Sequence, residues 1–143
     1  MKKYIGFILS FALIALIAAS ALTGCGDDKK DKKGNNQASE VISVGQGEVI
    51  FRFEATDNNG NITAWDVSTD KKFVGEALIE VNLIGGNESD YGFYVTAVNG
   101  STADYDTDKS YWAFYINGEY AMSGVGTTEI DETHIYSFVY TKD

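Results

Sequence analysis

Nine tyrosines stand in this chain of 143 residues, and several are spaced so that their rings could act together. In Tyr111 to Ile116, strand alternation puts Tyr111, Ala113 and Tyr115 on one side and Trp112, Phe114 and Ile116 on the other. Asn117-Gly118 tolerates positive φ at both positions and suits the tight turn of a hairpin. Tyr120 and Met122 then lie on the returning arm. Tyrosine rings are rigid, stack on flat ligands and add a hydroxyl for orientation. Tyr94, Tyr111, Tyr115, Tyr120 and Met122 are therefore the candidate ligand-binding residues, provided their strands lie side by side. Trp112 and Phe114 are assigned to the core. The structural alternative is that the tyrosine face is simply covered by a loop or helix.

Other chemistry finds less support. The chain has one histidine and one cysteine. His134 opens a strand, and Cys25 has a different role, developed below, so a Cys-His nucleophile is excluded. Zinc sites built from several His and Cys ligands are excluded likewise. Asp104-Tyr105-Asp106-Thr107-Asp108 imitates the start of a calcium loop, with oxygen ligands at alternate positions. The match fails at Lys109, where a turn glycine is needed, and at Tyr115, where the closing Glu belongs. The segment reads as a solvated acidic loop. Gly85-Gly86 follows a helical pattern rather than opening one, so it is no phosphate cradle. No catalytic residue, metal ligand or cofactor is expected, and the chain does not read as an enzyme.

Charge and targeting signals bound the setting. From Gly47 onward there are 17 acidic residues against Arg52, Lys71, Lys72, Lys109 and Lys142, a net charge of −12. Such a surface repels polyphosphate and argues against nucleic-acid partners. Met1-Lys2-Lys3 is a short basic start, and Tyr4 to Ala21 is almost wholly apolar. Leu22-Thr23-Gly24-Cys25 follows, and it resembles a bacterial lipobox, which implies cleavage before Cys25 and lipidation of it. Two acyl chains on one residue would anchor the chain stably at the extracytoplasmic face of the cell membrane. The alternative, an uncleaved transmembrane anchor, puts the remainder on the same side. With a single cysteine there is no internal disulfide, so the core must hold the domain.

The elements that would position the tyrosines follow from periodicity. Residues 1–24 read as the signal peptide, 25–46 as the lipidated cysteine and a flexible polar linker, and 47–143 as one domain. Val41, Ile42 and Val44 begin to order at the linker's end. Val49, Phe51, Phe53 and Ala55 alternate with Ile50, Arg52 and Glu54, which predicts a half-buried strand. Asp57 to Asn61 is a turn, and Ile62 to Val67 returns with Thr63, Trp65 and Val67 inward. Ser68-Thr69-Asp70 offers helix caps. Val74, Ala77, Leu78 and Val81 then recur at helical spacing over about three turns, ended by Asn82 and Gly85-Gly86. Strands follow at Tyr91–Val98, at the Tyr111 hairpin and at His134–Tyr140, with Tyr136, Phe138 and Tyr140 on one side. Ser101–Ser110 reads as a polar connection, and Ser123–Thr133 as a Gly- and Thr-rich loop. The order is strand, strand, helix, strands. It predicts an α+β domain of β-grasp (ubiquitin-like) type, a mixed sheet with one helix packed across it.

Phe73-Val74-Gly75-Glu76-Ala77-Leu78, Tyr111-Trp112 through Ile116-Asn117-Gly118, Gly124-Val125 and Tyr136 to Tyr140 together resemble the transcobalamin-like C-terminal domain family. The resemblance spans roughly residues 47 to 142. Bacteria carry this soluble-ligand-binding β-grasp type as a stand-alone domain on secreted or lipid-anchored proteins. In eukaryotic cobalamin carriers the related domain closes over the corrin ligand from one side. One departure is that Asp131-Glu132-Thr133 lacks the glycine of the family's acidic-Gly-Asp turn. Another is that these residues hold no counterpart of the large helical domain that completes the carriers' site. The resemblance implies a ligand-binding module, for cobalamin or another corrinoid or planar solute; with the lipobox at Cys25 the chain reads as a lipid-anchored extracytoplasmic form of it, which hands its solute to a membrane importer or presents it to a larger partner. A second reading stays open: a cell-surface protein–protein interaction module that takes no small molecule.

Overall fold

The structure is a computed structural model, and it describes residues 40–143. The signal segment, Cys25 and most of the expected linker lie outside the described residues. No helix among the described residues is long and apolar enough to cross a membrane.

The fold is mixed α+β and dominated by sheet. Strands β1 (Val41–Gly45), β2 (Val49–Thr56) and β3 (Ile62–Thr69) come first, then helix α1 (Val74–Glu80). Strands β4 (Ile84–Ser89), β5 (Gly92–Val98) and β6 (Ser101–Thr102) follow, then the short helix α2 (Tyr105–Asp108). The chain closes with β7 (Ser110–Ile116), β8 (Glu119–Tyr120), a 3-10 turn (Val125–Thr127) and β9 (Ile135–Lys142). Six strands form one sheet in the order β1-β3-β2-β9-β7-β8, and β4-β5-β6 form a second. The β1–β3 and β2–β9 pairs are parallel, and the others antiparallel.

The expected hairpins form. Phe53 lies opposite Trp65, and Phe51 opposite Val67. All four side chains are buried, while Ile50 on the other face is 49% exposed. Asn117 and Gly118 adopt φ of 53° and 80°, the pair of positive values that a two-residue hairpin turn demands. On the inner face Phe51, Phe53, Trp65, Trp112, Phe114, Tyr136 and Phe138 pack with Val74, Ala77 and Leu78 in one core, with Val81 at its margin. The helix is thus docked on the sheet face that alternation assigned to it.

The helix is shorter than its periodicity suggested. It has 7 residues, because Asn82 turns left-handed at φ 56°. The Leu83 N–H then donates to the Leu78 carbonyl at 2.9 Å and the Asn82 N–H to the Ile79 carbonyl at 3.0 Å. That double bond pattern closes a helix C-terminus, and here it brings the two core residues Leu78 and Leu83 together. Ser68-Thr69-Asp70 does not cap α1. The first cap position is Phe73, and the Val74 N–H instead donates to the Thr128 carbonyl at 2.9 Å. The Thr69 hydroxyl accepts from the Lys71 N–H, and the Asp70 carboxylate accepts from the Glu48 N–H.

Gly85-Gly86 is also placed differently. It lies inside β4, a strand that periodicity did not predict, at a break in the β4–β5 register. A Cβ on Gly86 would fall 1.9 Å from the Tyr94 carbonyl oxygen. The glycine thus permits a bulge where two backbones nearly touch. Val41–Gly45, at the end of the expected linker, is a sheet strand beside β3. The polar connection holds β6 and α2. In the turn before β9 an Asx arrangement stands in for the missing glycine: Asp131 Oδ1 accepts from the Thr133 N–H at 2.8 Å and from its hydroxyl at 2.6 Å.

Candidate functional site

The edge of the main sheet at β7–β8 faces strand β5 across an open space, and other clefts of similar or greater size lie beside Gly45 and Val81 and beside Thr96 and Asp104. A cavity of about 320 Å³ opens between β5 and that edge. Its floor is Trp112, Phe114 and Phe138, and one wall is Phe93, Tyr94 and Val95 from β5. The other wall is the segment from Tyr120 to Val125 that leaves the hairpin. The Ala121 N–H donates to the Phe114 carbonyl at 2.9 Å, so the chain stays beside β7 past the end of β8. Met122 then stands 99% exposed at the rim, while Val125 turns back into the core.

This second wall is built, not slack. The Thr128 hydroxyl is buried, donates to the Gly124 carbonyl at 2.9 Å and lies 3.1 Å from the Ser123 hydroxyl. Thr128 also receives the Val74 N–H, and the Ile130 N–H donates to the Lys72 carbonyl. An ion pair between Lys72 and Glu129 at 2.8 Å runs alongside. The expected loop is therefore tied to the start of α1. Tyr136 fixes its far end, accepting from the Asp131 N–H at 2.8 Å and donating to the Glu129 carbonyl at 3.2 Å. Burial pushes the Tyr136 phenol above its ordinary value, and the hydrogen bond from Asp131 opposes that rise.

The five candidate residues do not converge on one surface. Tyr94, Tyr120 and Met122 border the cavity. Tyr111 and Tyr115 lie on the opposite face of β7, half-buried. There they form a row with Tyr105 and Tyr120: ring centroids are 6.3 Å apart for Tyr105–Tyr111 and 5.5 Å for Tyr115–Tyr120. Tyr120 belongs to both groups. Desolvation, with the Asp143 charge second, pushes the Tyr111 phenol upward.

Residue-type reasoning missed most of the cavity. Trp112 and Phe114 are core residues that also form its floor. Phe93 and Val95 alternate with Tyr94 along β5, and that alternation was the available signal. Nothing in the sequence marks Ala121 or Ser123 as a wall.

The acidic segment is occupied with its own backbone. Asp104 caps α2, accepting from the N–H groups of Asp106 and Thr107 and from the Thr107 hydroxyl. Those bonds, the Thr107 hydroxyl first, hold its carboxyl below the usual value. Asp108 accepts from the Ser110 hydroxyl and from Lys142. Among the described residues no cluster of three or more His, Cys, Asp or Glu is disposed to hold a metal. His134 is a half-exposed edge residue 3.8 Å from Asp131. Asp131 itself is pulled down chiefly by its Thr133 hydrogen bonds.

Residues 71–135 match the domain of unknown function DUF4430. The matched DUF4430 segment runs from the start of α1 through the cavity walls to the first residue of β9. Solved structures share the fold, among them the following two. A protein from Ruminococcus gnavus, provisionally described as metal-binding, superposes with a TM-score of 0.64 at 23% identity, covering 67% of this chain and 99% of that one. Haptocorrin in complex with Cbi superposes with a TM-score of 0.50 at 20% identity, covering 66% of this chain and 25% of haptocorrin. The chain therefore spans about a quarter of haptocorrin. Both neighbours are described by what they bind, not by a reaction. A search of curated proteins finds no match.

Proposed function

We propose that this chain is a ligand-binding module of β-grasp type, held at the extracytoplasmic face of the membrane through a lipid on Cys25. Its aromatic cavity takes a planar, largely apolar solute. The observation that carries this reading is the cavity between β5 and the β7–β8 edge, where Trp112, Phe114, Phe93 and Tyr94 surround about 320 Å³. Concave, aromatic-lined space of this size is what small-molecule sites use. Haptocorrin, described in complex with Cbi, supports a corrinoid as the first ligand to try. A corrin ring is too large to enter such a space whole, so its edge would enter and Tyr120 and Met122 would meet the remainder. Release of the solute to a membrane importer completes the reading.

The test is calorimetric titration of the protein with cobinamide, cobalamin and haem, repeated with Tyr94→Ala and Met122→Ala. Binding tighter than about 1 mM, equivalent to about −4 kcal/mol, that weakens in either variant supports the reading. The lining carries no charged side chain, so affinity should change little with salt. No binding of any of the three overturns it.

The outer tyrosine row favours a second reading. Tyr111, Tyr115 and Tyr120 lie on the sheet face opposite the core, Tyr105 of α2 packs against Tyr111 at one end, and Tyr120 at the other is 62% exposed. A cell-surface protein module would dock through such a face. Charge-driven docking on this acidic domain would weaken steeply as salt rises, which separates the two readings.

A further inference from the structure

The outer face of the second sheet carries an open cleft of about 620 Å³, bounded by α2. The bulge in this sheet shapes it. Gly85 pairs with Ala97 and Gly86 with Val95, so Thr96 is the extra residue of β5. Val95 and Val98 can then both enter the core although they lie three apart, and Tyr94 and Thr96 are left on the outer face. Asn87 stands opposite Tyr94, and Thr102 stands opposite Ala97. Asn87, Tyr94, Thr96 and Thr102 line the cleft with Tyr105 and Asp106 of α2. All six are open to solvent at least in part, Tyr94 by 49% and Tyr105 by 43%.

The chemistry of this lining is narrow. Among the described residues the side chains of Asn87, Thr96 and Thr102 have no hydrogen-bond partner, so their donors and acceptors are free. Tyr105 is held in place: its hydroxyl donates to Asp143 at 3.1 Å, and its ring packs against Tyr111. No Lys, Arg or His lines the cleft, and the domain is strongly acidic, so an anion is disfavoured. A cation is disfavoured as well. The Lys109 ammonium already stands 4.6 Å from the centroid of the Tyr105 ring, and the Asp104 carboxylate is engaged by Asp106 and Thr107. A hydrocarbon would strip water from the amide and the two hydroxyls and replace none of it. What fits is an uncharged molecule with many hydroxyls and an apolar C–H face.

We infer that this cleft binds a neutral saccharide, a hexopyranose chain whose C–H face lies on Tyr94 and whose hydroxyls exchange hydrogen bonds with Asn87, Thr96 and Thr102. Ring contact and shared hydrogen bonds, some through water, supply the affinity. The site goes beyond the aromatic cavity described above and has only Tyr94 in common with it, so it stands whether or not that cavity takes a planar solute.

The probes are cellotriose, maltotriose and mannotriose, with tetramethylammonium chloride as the cationic comparison, followed in ¹H–¹⁵N spectra of the full-length protein. At least one trisaccharide should shift the Asn87 side-chain amide and the backbone signals of Thr96 and Thr102, saturating with a Kd of about 10 mM or tighter. Asn87→Ala or Thr102→Val should weaken that binding about two- to tenfold, the worth of one neutral hydrogen bond. Both positions are exposed, so neither change disturbs the core. Met122→Ala, at the rim of the aromatic cavity, should leave saccharide affinity unchanged. Silence from all three trisaccharides overturns the inference, as do shifts centred on Ala121 and Ser123 instead. Unchanged affinity in both variants overturns it too, and so does tighter binding of tetramethylammonium than of every saccharide.

Discussion

Gly75→Ala sets two effects of opposite sign against each other, and the structure decides between them. Gly75 lies within α1, where replacing glycine by alanine gains about 1 kcal/mol of helix propensity. A Cβ there, however, would stand 3.0 Å from Gly126 Cα, 3.1 Å from Gly126 N and 3.1 Å from the Val125 carbonyl carbon. Comfortable contact between such atoms begins near 3.5 Å, so helix and 3-10 turn must part by about half an ångström. The turn cannot give way freely. Val125 is 3% exposed in the core, and Thr128 ties the segment both to Val74 and to Gly124. Overpacking of this kind costs about 1–3 kcal/mol, enough to cancel the propensity gain. The expected net result is a loss of about 1 kcal/mol, read as a lower midpoint in urea with unchanged slope. Since Gly124 and Val125 line the cavity, ligand affinity should fall as well. Gly126→Ala is the control. Its Cβ would meet only the Phe93 Cβ at 3.5 Å, an ordinary contact, and stability should stay within about 0.5 kcal/mol. A Gly75→Ala protein as stable as the parent, or more so, would refute the claim that the turn is pinned against the helix.

Three further outcomes follow from the same packing. Leu78 is fully buried between helix and sheet, so Leu78→Ala should cost about 2–5 kcal/mol; a loss below about 0.5 kcal/mol in a urea titration would mean the helix is not docked there. The Tyr136 phenol is raised by burial, so its contribution to stability is complete below the unfolded value near 10 and is lost as pH rises through the folded one. Melting curves between neutral pH and about pH 11 should therefore show a smaller alkaline loss in Tyr136→Phe than in the parent, and equal losses would count against burial as the cause. Cys25→Ser should release the protein from membranes or leave its precursor uncleaved; normal processing with normal membrane retention would remove lipidation from the proposal.

Alternation and turn chemistry made the main hairpins legible because each strand buries one face. Phe51 and Phe53, Trp112 and Phe114, and Tyr136 and Phe138 each recur at a period of two, and Asn117-Gly118 marks its turn without help from the rest of the chain. The features that escaped depend on the approach of distant segments. Gly85-Gly86 looks like a helix end because glycine is a common stop signal. It serves a bulge only because the Tyr94 carbonyl passes beside it, and nothing local in residues 84–89 reports that neighbour. The site divides in the same way. Tyr94, Tyr120 and Met122 were visible as surplus aromatic and apolar side chains near a hairpin. The separation of Tyr111 and Tyr115 from them follows from which face of β7 the second sheet covers. Alternation shows that two faces exist, but not which one a cavity will open on.

That division bears on how the module would be approached. The chain enters the described domain at β1, one edge of the six-stranded sheet, and the cavity lies beside β7 and β8 at the other. Five strand spacings of about 4.8 Å separate those edges, or about 24 Å. A tether leading from a lipidated Cys25 into Val41 would therefore join the domain on the side away from the cavity. The domain's net charge of −12 from Gly47 onward also disfavours close contact with an anionic lipid surface, within a Debye length of about 8 Å. The mouth framed by Tyr120 and Met122 then lies at the sheet edge remote from the point where the proposed tether would attach. A solute would then arrive from the outer phase, and passing it inward would require a partner that reaches this edge or a reorientation about the tether. Shortening the segment between Cys25 and Glu40 should leave affinity for a free solute unchanged while slowing its transfer to an importer. Equal transfer from short and long tethers would show that the partner comes to the cavity, and that the tether plays no part in delivery.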